Sequence, residues 1–204
     1  MYLYRVTLDP RGHQARRDLG DAYEMHRTLT RAFAADTHQP PQRFLWRLES
    51  GPDGWQQPQL LVQSACAGDW TPIQQLPNYL KKPVETKTFD PVLWLQNRER
   101  CRFRLLANPT VTHQGKRFGL HAETDQIAWL ARQGERHGFR PEVAMVVGTE
   151  KLSTRKGERP ITIVRTRFEG HLVITDSDAL AAALANGIGP AKAFGCGLLS
   201  LGSA

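Results

Sequence analysis

The feature that most constrains this chain is an order of alternating and helical apolar periodicities that runs twice through its 204 residues. Residues 2–8 alternate apolar side chains as a half-buried strand requires. An Arg- and Gly-rich linker follows, and residues 22–35 then set Met25, Leu29, Ala32 and Phe33 on one helical stripe. Strand-like runs at 43–48 and 59–64 flank the turn-forming G-P-D-G at 51–54. A short helical segment is expected around 72–79, and residues 84–88 close the sheet. The second half repeats the plan: a strand at 102–107, a helix at 123–136, strands at 143–147, 161–168 and 171–174, a helix at 178–186 and a last strand at 198–201. One pass of β-α-β-β-α-β, followed by a similar pass with one more strand-like run, predicts an α+β protein of two tandem ferredoxin-like (RRM-like) domains. We place the N-terminal domain at 1–88 and the C-terminal domain at 98–204, with a linker at 89–97 where Lys, Pro and Asp interrupt the pattern.

With 27 Lys and Arg against 20 Asp and Glu, and a formal charge of +7, the chain is expected to attract polyanions, nucleic acid foremost. No apolar run approaches the ~20 residues that span a bilayer, and no basic amphipathic helix suits a membrane surface. The N-terminus begins directly with strand-like Y-L-Y-R-V-T-L rather than an export signal, so a cytoplasmic location is expected. Cys66, Cys101 and Cys196 are widely spaced with no C-x-x-C, which predicts reduced, mostly buried thiols and neither a zinc knuckle nor a disulfide framework. His13, His38, His113, His121, His137 and His171 show no H-x-x-x-H or H-x-E spacing, so no metal and no cofactor is expected. Trp46, Trp70, Trp94 and Trp129 are read as core or domain-interface residues. The strand around Phe103 does not match the aromatic pattern on which RNA-recognition domains stack bases.

The stretch G-I-G-P-A-K-A-F-G-C-G-L-L-S-L-G at 187–202 holds five of the 17 glycines. A nucleotide fingerprint should follow a strand and open a helix, whereas this segment follows a helix and precedes a strand, and it lacks the third glycine. Gly187 suits the end of an Ala-rich helix. Gly187, Gly189, Gly195 and Lys192 are read as an RNA-seating loop, with a helix-to-strand turn as the alternative. The segment K-L-S-T-R-K-G-E-R-P reads as a basic hairpin tip whose Lys151, Arg155, Lys156 and Arg159 can follow RNA phosphates. Arg16 and Arg17 lie just before the first predicted helix and are further candidates for phosphate contacts.

Within that helix Asp21 is the expected N-cap, with Glu24 three residues on to complete a capping box. Tyr23, His26, Arg27 and Thr30 fall away from the apolar stripe. Tyr23 and His26 stand one turn apart near the positive end of the helix dipole, a placement that suits an anionic substrate.

Taken together, Y-L-Y-R-V at the N-terminus, R-R-D-L-G-D-A-Y-E-M-H-R-T-L at 16–29, R-F-R-L-L-A-N-P at 102–109, G-K-R at 115–117, Q-I-A-W-L at 126–130 and the terminal glycine motif resemble the CasE family over essentially the whole chain. Its members are the CRISPR-RNA-processing endoribonucleases of the Cascade surveillance complex. The resemblance implies a double ferredoxin-like fold, metal-independent cleavage of CRISPR precursor RNA beside its repeat stem-loops, and retention of the product among other Cascade subunits. It singles out Tyr23 and His26 and points to a lysine before the second helix, for which Lys116 is the best match and Arg117 the adjacent competitor. Arg27 and Arg117 join the expected RNA contacts. Such a reaction needs a base for the 2′-hydroxyl proton, an acid for the departing 5′-oxygen and a cation for the charge on phosphorus, leaving 2′,3′-cyclic phosphate and 5′-hydroxyl ends. With an ordinary pKa of about 6.5, a histidine serves either as base or as acid, and both remain open for His26 at this stage. A catalytically inert RNA-binding subunit of the same fold is the alternative, and a DNA-binding protein a more distant one.

Overall fold

The computed structural model describes residues 1–34, 40–51, 54–156 and 159–204, and within these not the side chains of residues 55, 155, 156, 159 and 160. His38 and the centre of the expected turn at 51–54 therefore lie outside the described residues. The chain forms two compact units.

The first unit comprises Met1–Phe89 and Ala193–Gly195. Its elements run β1 (Tyr2–Thr7), α1 (His13–Gly20), α2 (Ala22–Thr30), β2 (Phe44–Gly51), β3 (Gly54–Ser64), α3 (Thr71–Gln74) and β4 (Glu85–Thr88). The strands lie in the order β2-β3-β1-β4, antiparallel at every pairing, which is the expected ferredoxin-like sheet. Register sets Tyr4 and Trp46 on either side of Val62, and Val6 opposite Leu60, so strand alternation sends all five to one face. They are buried, together with Met25 and Leu29 from α2 and with Phe33 after it. Aromatic contacts join these layers, with Phe33 stacked 4.6 Å from Phe44 and Tyr4 tilted 4.9 Å from Trp70.

The Arg- and Gly-rich stretch expected as a linker is helix α1. Its buried positions are Ala15 and Asp18, a methyl group and a carboxylate, so it has no apolar stripe for periodicity to detect. Asp18 is enclosed by donors: the Tyr79 hydroxyl at 2.8 Å, Arg17 Nε and Nη2 at 3.1 and 3.0 Å, and Gln14 Nε2 at 3.3 Å. A carboxylate out of water is tolerated only with such partners. Tertiary hydrogen bonds therefore hold this helix in place.

The second unit comprises Asp90–Lys192 and Cys196–Ala204. It contains α4 (Pro91–Leu95), β5 (Arg100–Ala107), β6 (Thr110–His113), β7 (Lys116–Gly119), α5 (Glu123–Arg136), β8 (Phe139–Lys156), β9 (Arg159–Ile174), α6 (Ser177–Asn186) and β10 (Leu199–Ser203). The sheet order β10-β5-β9-β8 repeats the topology of the first unit. The strands expected at 161–168 and 171–174 are one strand. Gly170, at φ +155°, leaves room for a bulge in β8, and a Cβ there would fall 1.9 Å from the Val143 carbonyl oxygen. Residues 89–97, expected as linker, contain α4, which opens on Pro91 and is capped by the Asp90 carboxylate accepting from the Val92 and Leu93 N–H groups. The β6–β7 hairpin was also unexpected from the sequence. Gln114 and Gly115 turn it at φ +50° and +75°, as a two-residue hairpin loop requires.

Trp46, Trp70 and Trp129 are buried. Trp94 is half-buried, with the Arg98 guanidinium 4.5 Å above its ring. Cys101 and Cys196 are buried and Cys66 is exposed. Among the described residues no helix is long and apolar enough to cross a membrane.

Tyr79→Phe removes the hydroxyl that satisfies Asp18 while keeping the ring. It should lower the free energy of unfolding by about 1–3 kcal/mol in urea denaturation, and a loss below about 0.5 kcal/mol would mean that the remaining donors suffice.

Candidate active site

Helix α2 starts where the sequence directs it. Asp21 is extended at φ −138° and its carboxylate accepts the Tyr23 N–H at 2.8 Å. The capping box does not form as expected. The Asp21 N–H is taken by the Arg17 carbonyl of α1, and the Glu24 carboxylate instead binds Arg27 at 2.8 Å and Arg17 at 3.2 Å. The helix stops at Thr30, short of residue 35, and the Thr30 hydroxyl bonds back to the His26 carbonyl at 2.8 Å.

Met25, Thr28 and Leu29 are buried beneath the helix, and Tyr23 and His26 share a half-buried flank one turn apart. The His26 ring stacks on Phe44 with centroids 4.9 Å apart and planes 25° apart. Its Nδ1 is buried and has no hydrogen-bond partner among the described residues. Burial lowers the His26 pKa below the ordinary 6.5, because an imidazolium there would lose water without gaining an acceptor. Tyr23 stacks 6.4 Å from Phe194, at 30°, and Phe194 belongs to the part of the glycine-rich segment that packs in the first unit.

The other predicted residues occupy varied settings. Arg16 is exposed, whereas Arg17 is tied to Asp18 and Glu24, and Arg27 to Glu24. Lys116 and Arg117 are exposed neighbours on β7, and strand alternation directs their side chains to opposite faces of the hairpin. Lys151 is exposed on β8. Beyond the last residue paired with β5, Thr166, the β8–β9 ribbon continues as two strands alone, from Glu150↔Arg165 to Lys156↔Arg159. The backbones of Arg155, Lys156 and Arg159 belong to this ribbon; their side chains, and residues Gly157 and Glu158, lie outside the described residues.

The glycine-rich segment owes its glycines to the protein's own packing. Gly187, at φ +73°, ends α6. A Cβ on Gly189 (φ +77°) would fall 2.9 Å from the Trp129 ring, and one on Gly195 (φ +80°) 3.1 Å from Trp46. Lys192 Nζ donates to the Gly189 carbonyl at 2.7 Å, and Ile188 N–H to Gly197 at 2.9 Å, so the loop is closed on itself. Arg117 of the G-K-R segment and Gly189 and Lys192 of the glycine-rich segment line one cleft of about 640 Å³.

Sequence reasoning missed Phe44 and Phe194. Phe44 looks like any core strand residue, and only the tertiary fold sets it against an imidazole. An aromatic between the glycines was the available signal for Phe194.

A family profile described as CRISPR associated protein matches residues 1–202. The chain is 36% identical to the CRISPR-associated endoribonuclease Cse3 of Thermus thermophilus, over 98% of this chain and 99% of the relative. It is 32% identical to the CRISPR system Cascade subunit CasE of Escherichia coli, over 98% of each. Its structure is similar to that of Thermus thermophilus Cse3 bound to an RNA representing a pre-cleavage complex, with a TM-score of 0.86 and 34% identity over 98% of both chains.

A histidine with a depressed pKa binds its proton more weakly in the folded protein than in the unfolded chain. Its stabilising contribution is thus complete above about pH 6.5 and is lost as the pH falls through the interval below. In an NMR titration the His26 ring signals, assigned by their loss in His26→Gln, should show a midpoint below 6.5. A midpoint at or above that value would remove burial as the controlling influence.

Proposed function

Because the chain belongs to the CRISPR-associated protein family, we propose that it is a metal-independent endoribonuclease of the cytoplasm that cuts CRISPR precursor RNA within its repeat stem-loops and keeps the mature RNA as a Cascade subunit. The observation that carries this reading is a desolvated histidine one helical turn from a tyrosine, on a chain similar from end to end to a named endoribonuclease. Neutral imidazole is the form that accepts a proton, and burial keeps His26 in that form at neutral pH. This favours His26 as the general base.

In this reading His26 takes the proton of the 2′-hydroxyl through Nε2, since Nδ1 is the buried nitrogen. The 2′-oxygen bonds to phosphorus as the bond to the 5′-oxygen breaks, and the departing oxygen receives the proton of the Tyr23 hydroxyl. One product ends in a 2′,3′-cyclic phosphate and the other in a 5′-hydroxyl, and solvent returns the proton from His26 to Tyr23. Lys116 supplies the cation for the charge on phosphorus, and Arg117, which lines the cleft of the second unit, is assigned to RNA binding. Arg16, Arg17, Arg27 and the β8–β9 ribbon add phosphate contacts.

Labelled repeat RNA should be cut in excess EDTA, while RNA with a 2′-deoxy nucleotide at the cut site stays whole; cleavage of both or of neither overturns the mechanism. His26→Ala should slow single-turnover cleavage by about 10²–10⁴-fold with stem-loop affinity held within about threefold. Wild-type binding without cleavage would leave the inert RNA-holding subunit as the function.

The two neighbouring cations should separate kinetically. Lys116→Ala should lower the rate at saturating RNA, and Arg117→Ala should mainly weaken binding. The reverse pattern would exchange their roles.

A further inference from the structure

The cleft of about 640 Å³ in the second unit opens between the β6–β7 hairpin, α5 and the glycine-rich segment. Four of its lining side chains are the cations Arg117, Arg132, Arg136 and Lys192, and among the described residues no acid lines it. Arg132 and Arg136 stand four residues apart on α5 and so project from one face of the helix. Both are exposed, and neither is held in an ion pair among the described residues. They differ in this from Arg17, Arg27, Arg47, Arg100 and Arg104, each held by a carboxylate.

The part of the lining from the glycine-rich segment is built by close packing. Gly189 lies flush on the buried Trp129 indole, where any side chain would collide, and Lys192 ties the loop to the Gly189 carbonyl. Buried Gln133 completes the α5 side. The positive field reaches His137, the residue after Arg136: burial lowers its pKa first, and Lys192 and Arg136 lower it further. A single small anion would leave most of this charge unmatched, whereas a strand carrying successive phosphates matches two guanidiniums one turn apart. The ring at the floor is buried, so no stacking surface for a base is presented there.

We propose that this cleft is an additional RNA-binding site, formed within the second unit by Arg132 and Arg136 with Arg117 and Lys192, which grips the sugar-phosphate backbone without reading bases. It rests on the reading that the chain binds CRISPR repeat RNA, and it adds two arginines that no motif singled out.

The test uses the full chain and a repeat RNA made uncleavable by a 2′-deoxy nucleotide at the cut site, and compares wild type with the Arg132→Gln/Arg136→Gln double variant. Binding should weaken by at least about tenfold at moderate salt, and the slope of log Kd against log salt should fall by about 1.5, as expected for two lost phosphate contacts. A hairpin of scrambled sequence should show the same loss. Lys81→Gln/Lys82→Gln, an equal loss of charge on exposed residues of the first unit, should change the slope far less. An unchanged slope, an equal effect from the control pair, or a loss confined to the cognate sequence would each overturn the proposal. Should the double variant fail to fold by circular dichroism, the single Arg132→Gln, expected to lose about half the slope change, decides the matter. Wild-type protein that binds but does not cut would sink the nuclease reading and leave the cleft still decided by the slope. Normal cutting with an unchanged slope would sink the cleft alone.

Discussion

The buried carboxylate of Asp18 is the constraint on which the placement of α2 depends. Removed from water, it must be met by donors, and those it recruits come from three places in the chain: Tyr79 beyond α3, Gln14 one turn back in α1, and its neighbour Arg17. Two of these donors extend to α2. Gln14 Nε2 also donates to Thr28 at 3.2 Å, and Arg17 also pairs with Glu24. Satisfying one charge therefore fixes α1 against α2, and with it the flank that carries Tyr23 and His26. The same enclosure drives the Tyr79 hydroxyl pKa upward, burial first and the Asp18 charge second, which keeps the phenol protonated as a donor.

On that fixed helix the physical character of His26 follows from what surrounds it. Phe44 covers one side of the ring and Nδ1 meets no partner among the described residues, so the charged form is disfavoured without any neighbouring cation being invoked. Glu24, on the same helix, serves a different purpose, holding two guanidiniums in place at the surface. Such surface pairs add little stability, but they set where the two guanidiniums sit.

The glycine-rich segment shows how one sequence signal can have a different cause from the one it suggests. Repeated glycines resemble a loop that lets a ligand approach closely, yet here the approaching groups are the indoles of Trp129 and Trp46. Close packing of Gly189 on Trp129 forms part of the cationic cleft, while in the first unit Gly195 packs on Trp46 and the adjacent Phe194 stacks on Tyr23. The Lys192 ammonium, engaged with the Gly189 carbonyl, fixes the loop beside Arg117, Arg132 and Arg136, which line the same cleft.

The principal strands of the two sheets, the start of α2 at Asp21, the whole span of α5 and the Tyr23–His26 spacing were legible in the sequence, because each rests on local periodicity, capping or the helical repeat. Helix α1, the β6–β7 hairpin and the fusion of two runs into β9 were not, since they depend on Asp18 finding Tyr79, on positive φ at Gln114, and on the Val143 bulge against Gly170. The sequence likewise determined that a histidine and a tyrosine share one helical flank and that the chain is basic. Only the tertiary structure decided that His26 is buried against Phe44, and that Arg132, Arg136 and Lys192 line one cleft without acids among the described residues. Desolvation and field are set by neighbours distant in the chain, and no local pattern encodes those.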